Sequence, residues 1–79
     1  MRWFYKKIKQ VGNKYTYLYS HENMDYDGII EYDANTEIGR VVKACADDKD
    51  SKFAMDWSYM HFYEVIDKNF PDEIAVITG

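Results

Sequence analysis

The segment Ser51–Phe70, SKFAMDWSYMHFYEVIDKNF, constrains the fold of this chain more than any other stretch. Met55, Tyr59, Phe62, Ile66 and Phe70 recur at three- or four-residue spacing, with Ser58 and Val65 alongside. At about 100° per residue that spacing gathers apolar side chains on one helical face. Asp50 or Ser51 can cap a first turn, and Asp47, Asp48 and Asp50 place negative charge at the positive end of a helix dipole. Pro71 cannot continue a helical ladder and pushes Phe70 out of the α region. The reading is one helix over Ser51–Phe70. Phe53, Trp57 and Met60 fall on its opposite side, where a surface helix is normally polar.

The remaining segments read as strands. Trp3–Lys9 alternates Trp3, Tyr5 and Lys7 with Phe4, Lys6 and Ile8. Val11-Gly12-Asn13-Lys14 is a turn signal, with Gly12 and Asn13 suited to positive φ in a two-residue hairpin. Tyr15–Ser20 returns, with Tyr15, Tyr17 and Tyr19 on one side and Thr16, Leu18 and Ser20 on the other. Gly28–Asp33 and Ile38–Cys45 follow as third and fourth strands, Gly39 suggesting a bulge. Glu73–Thr78 is a short β-branched run and a fifth strand. It could pair with the first strand, antiparallel, or with the fourth, parallel.

The order β-β-β-β-α-β predicts an α+β domain: a small antiparallel-rich sheet of four or five strands with one helix packed on one face. The expected core is Met55, Phe62 and Ile66 against Phe4, Leu18, Ile30 and Val42. The tyrosines are expected to form an outer, partly wet stripe. A chain of 79 residues is one domain with a core of modest size.

Cys45 is the only cysteine, which excludes a disulfide framework and a cysteine zinc cluster. The opening MRWFYKKIKQ lacks the apolar core of a signal peptide, and no run approaches a membrane span. A cytoplasmic protein that does not engage membranes is expected. Net charge is −4, unevenly spread. Five of the ten cations (Arg2, Lys6, Lys7, Lys9 and Lys14) precede every one of the fourteen acids, leaving Tyr15 onward near −9.

Three constellations bear on chemistry. In Asn23-Met24-Asp25-Tyr26-Asp27-Gly28-Ile29-Ile30-Glu31, the residues Asn23, Asp25, Asp27 and Glu31 occupy the first, third, fifth and ninth slots of a calcium loop, with Gly28 sixth and Ile30 eighth. The twelfth slot needs a bidentate Glu and holds Ala34, and the flanks read as strands. His21-Glu22 and His61 with Glu64 are the acid/base pairs containing a histidine, the minimum for a small metal-dependent or His/Glu enzyme. No third ligand or nucleophile stands at a diagnostic spacing. Arg2, Lys6, Lys7 and Lys9 interleaved with Trp3 and Tyr5 resemble a platform for single-stranded nucleic acid, which the acidic remainder opposes.

No motif raises one chemistry above the others, and no cofactor is implied. The preferred expectation is a non-enzymatic protein-interaction module that self-associates as a homo-oligomer or docks on a protein partner. Its candidate patch is Phe53, Trp57 and Met60 together with the stripe Tyr15, Tyr17 and Tyr19, because Trp, Tyr, Phe and Met are enriched in interface cores.

Overall fold

Gly12 and Asn13 reverse the chain between its two longest strands, β1 (Arg2–Val11) and β2 (Lys14–His21). Gly12 has φ +60° while Asn13 keeps negative φ, the pattern of a type II′ turn with glycine in its first central position. The computed structural model describes residues 1–78. β3 (Gly28–Asp33) and β4 (Ile38–Lys43) continue the meander, and β5 (Glu73–Ile77) closes it. The sheet order is β4-β3-β2-β1-β5, and every pairing is antiparallel. The last strand therefore lies beside the first. Ile8 is the extra residue of a bulge in β1, and Val42 of a second one in β4.

The expected α+β architecture with a helix over Ser51–Phe70 is not what forms. The molecule is an antiparallel sheet carrying a single helical turn, α1 (Tyr63–Asp67). From Asp48 to His61 the chain runs through successive tight turns, in which Ser51, Ala54, Asp56, Tyr59 and His61 each donate a backbone N–H to the carbonyl three residues earlier. Two local causes are visible. The Ser51 hydroxyl takes the N–H of Phe53, and the Asp56 carboxylate takes that of Ser58. Such bonds offer the backbone an alternative to the helical ladder. Ser, Asp, Trp, Tyr, Phe and His are also indifferent helix formers, and His61 adopts φ +61° just before α1. α1 ends at Asp67, short of the stop expected at Pro71. Asn69 takes φ +62°, its N–H bonds to Ile66, and that of Phe70 reaches back to Val65; this is a Schellman closure.

The face assignment is also reversed. Trp3, Tyr5, Tyr17, Tyr19, Ile30, Tyr32 and Val41 point beneath the cover and are buried with Met60, Phe62 and Val65. Phe4 and Leu18, expected inside, lie half-buried on the other face. Of the expected core, Phe62 and Ile30 are buried, Ile66 is half-buried, and Met55 and Val42 are exposed.

Turns explain why tyrosines serve as core residues here. A helix over Ser51–Phe70 would consume the Met60 carbonyl, which the turns leave free, and the Pro71 carbonyl lies beyond it. The Tyr5 hydroxyl donates to the Met60 carbonyl, and that of Tyr17 to the Pro71 carbonyl at 2.6 Å. The Tyr19 hydroxyl accepts the Cys45 N–H at 3.0 Å. A buried hydroxyl is tolerated when it is paired. Burial raises the pKa of all three phenols above the ordinary tyrosine value.

Candidate functional site

At one end of the covered face, the last residue of β2 meets the Ala44–Asp50 turn. His21 Nδ1 lies 2.7 Å from Asp48 Oδ1, and both residues are buried. The Cys45 thiol, 1% exposed, donates to Asp48 Oδ2 at 3.6 Å. The turn fixes this second pair, because Asp48 N–H bonds to the Cys45 carbonyl. The indole of Trp3, the register partner of His21, stacks on the imidazole at 4.4 Å with planes 3° apart. On the outer side, His21 Nε2 is 3.3 Å from Glu22 Oε1 but not aligned for a hydrogen bond. The Arg2 N–H donates to Glu22 Oε1, and this bond first of all holds the Glu22 pKa below the usual carboxylate value.

Histidine, carboxylate and thiol thus come together, but the aspartate sits in the middle. No imidazole reaches the sulfur to take its proton, as nucleophilic catalysis by cysteine requires. Burial, then the neighbouring Asp48 charge, pushes the thiol pKa up, away from the reactive thiolate. The arrangement is suited to tying the turn onto the sheet. The sequence shows Cys45 and Asp48 three residues apart; the contact with His21, 27 residues from Asp48, has no local signal.

The second histidine comes near the same place. His61 packs against Trp3 at 4.8 Å, so both imidazoles touch one indole. Its Nδ1 is 2.9 Å from the Tyr63 hydroxyl. No group of three metal-ligating side chains occurs among the described residues. Three of the four calcium-loop candidates are engaged elsewhere: Asn23 Oδ1 accepts the Asp25 N–H, Asp27 takes the Ala46 N–H, and Glu31 pairs with Arg40 at 2.7 Å, while Asp25 is exposed.

The nucleic-acid candidates divide between the two faces. Trp3 and Tyr5 are 1% and 0% exposed and offer no ring for a base to stack on. Lys6 pairs with Glu73 at 3.8 Å. Lys7 donates to the Phe70 carbonyl at 3.0 Å and lies 3.3 Å from Asp72. Arg2 and Lys9 are exposed.

The aromatic patch is redistributed as well. Met60, Tyr17 and Tyr19 are fully buried. Tyr15 is half-buried, stacked on Phe70 at 3.8 Å. Trp57 folds inward against Tyr32 and Phe62. Phe53 alone of the six stays exposed, beside Tyr59.

The free surface lies on the opposite side of the sheet. Among the described residues only the β2–β3 loop lies over one end of it, and no segment crosses it in the way the Ala44–Phe62 segment covers the first face. Leu18 and Ile29 are register partners at its centre, half-buried. Met24 and Tyr26 of the β2–β3 loop lean toward Phe4 and Ala75 at one margin. At the other margin a shallow groove of about 370 Å³ runs between Lys14, Thr16, Glu31, Asp33, Ile38 and Arg40. Its walls alternate in charge. Among the described residues no helix is long and apolar enough to cross a membrane. No family model, curated protein or solved structure matches this chain.

Proposed function

We propose that this chain is a non-enzymatic protein-interaction module of the cytoplasm, working through the open face of its sheet. The observation that carries the reading is the Leu18–Ile29 centre, left without a cover and bordered by a groove with both signs of charge. Antiparallel sheets do expose one face to water, but that face is then usually polar throughout. An apolar centre with a charged, solvated rim is the anatomy of a protein interface. The inert placement of Cys45 and the structural use of His21 and Asp48 favour binding over catalysis. The burial of Trp3 and Tyr5 favours a protein over a nucleic-acid strand.

Capture of partners from source-cell extract on immobilised protein tests this, comparing wild type with Ile29→Lys on the open face and Met55→Ser on the covered side. The expected result is a bound set kept by Met55→Ser and lost by Ile29→Lys. The same bound set on both variants would overturn the open-face reading.

A further inference from the structure

We propose that the chain also associates with a second copy of itself, joined edge to edge through β5 so that the two sheets become one. The inference rests on the reading of the chain as an interaction module and adds the β5 edge to its open face as a second contact surface.

β5 is an outer strand of the sheet. Its inner side is bonded to β1 without interruption from Glu73 to Ile77. Asp72 offers its carbonyl to Lys7, and Thr78 exchanges bonds with Met1 in both directions. Alternation then turns the N–H and C=O groups of Ile74 and Val76 toward β1, and those of Glu73, Ala75 and Ile77 outward. The outward groups form an unused edge.

Proteins normally protect such edges with bulges, inserted charges, lysine or proline. The opposite edge is protected in this way. β4 carries the Val42 bulge, Gly39 beneath the Trp57 ring, and the cations Arg40 and Lys43. β5 has no bulge, lysine or proline; the Met24–Tyr26 loop borders it at Glu73–Ala75 without bonding to its outward groups. Its sequence, Glu-Ile-Ala-Val-Ile, has high β propensity and a single charge at one end.

One register uses the whole edge. An antiparallel two-fold centred on Ala75 sets Ala75 against Ala75 of the second copy and Glu73 against Ile77 of the second copy. Each outward N–H and C=O of the three residues then meets its complement. Ile74 comes opposite Val76 of the second copy, which extends the apolar layer under the cover.

Charge points the same way. Arg2 is the register partner of Ile77 within the chain and is exposed. Glu73 is 65% exposed by side chain. In the proposed register, Glu73 lies two strand spacings, about 10 Å, from Arg2 of the second copy and on the same face, within the joint reach of the two side chains. The two-fold generates this pair twice. The bulged β4 edges stay outside, so the assembly closes at two copies.

Light scattering coupled to size exclusion, at high micromolar concentration, tests the proposal on three variants. Ala75→Pro removes an outward N–H that the fold itself does not use, and circular dichroism and melting verify that it folds. Glu73→Arg sets like charges together, and the double variant Arg2→Glu/Glu73→Arg restores opposite ones. The expected results are a wild-type dimer, a folded monomer for Ala75→Pro, weakening on the order of tenfold for Glu73→Arg, and recovery in the double variant. A monomeric wild type, or a dimer unaffected by Ala75→Pro, would overturn the proposal. Neither outcome touches the open-face reading, which stands or falls on Ile29→Lys in the capture experiment.

Discussion

The indole of Trp57 lies directly against the α-carbon of Gly39. A Cβ added at Gly39 would stand 2.6 Å from the ring, well inside van der Waals contact. Trp57 holds this place through edge-on contacts with Tyr32 and Phe62, so the ring cannot retreat without unpacking the core. Gly39→Ala is therefore expected to destabilise the fold by about 1–3 kcal/mol, the usual cost of overpacking. Chemical denaturation measures it; an unchanged midpoint would show that the ring is free to move.

Phe62 occupies the centre of the cover. It is fully buried, with Tyr5, Tyr17, Tyr32 and Trp57 around it at centroid distances of 5.5–6.1 Å. Phe62→Ala is expected to cost about 3–5 kcal/mol, because a ring-sized cavity lined by rigid aromatics closes poorly. In a domain of this size that is a large part of the total stability. A thermal melt resembling wild type would remove Phe62 from the core.

The strand pattern was legible because it is local. Gly12-Asn13 between two runs of aromatic residues announces a hairpin, and the bounds of β3 follow from Gly28 and from Asp33 at the next turn. The cover was not legible for the same reason. The spacing of Met55, Tyr59, Phe62 and Ile66 satisfies a helical template, but the choice between helix and turns is made by Ser51, Asp56 and the sheet below. Met55 ends exposed and Met60 buried, the opposite of the helical assignment. The face of the sheet was equally hidden: alternation puts large groups on both sides of β1 and β2. Which side is buried depends on free carbonyls at Met60 and Pro71, 54 or 55 residues from the tyrosines that use them. The His21–Asp48 pair shows the same limit, since sequence spacing carries no information about it.

Tyr17 allows the tyrosine–carbonyl contact to be tested alone. Tyr17→Phe keeps the ring in its place against Phe62 and removes only the hydroxyl that donates to the Pro71 carbonyl. The loss is expected to be about 1 kcal/mol, that of one hydrogen bond. It should appear with no change in the near-ultraviolet dichroism of the other aromatics. A neutral substitution would mean that solvent replaces the bond at the Pro71 carbonyl.

Cys45 should behave as a packed side chain. With 1% exposure and a thiol pKa raised by burial and Asp48, it is expected to react with a disulfide reagent at least about a hundredfold more slowly in the folded protein than in denaturant. Rapid labelling of the native state would show that the Ala44–Asp50 turn opens readily and that His21 and Asp48 do not hold it.

The buried phenols set the alkaline limit of the fold. Tyr5, Tyr17 and Tyr19 have pKa values raised by burial in the folded state, whereas in the unfolded chain they ionise near the ordinary value of about 10. Above that pH the folded state holds protons that the unfolded state has lost, so stability falls as pH rises. This contribution is complete below about pH 10 and is lost progressively above it. With three such groups the slope approaches about 4 kcal/mol per pH unit, steep enough to unfold a small domain over a narrow interval. Tyrosinate absorbance followed together with dichroism should therefore show the exposed phenols titrating gradually, and Tyr5, Tyr17 and Tyr19, with the buried Tyr32, appearing in one step with loss of structure. Tyr17→Phe should move that step to higher pH relative to its own stability at neutral pH. A smooth titration of all eight tyrosines, with the sheet intact, would contradict the burial of this face.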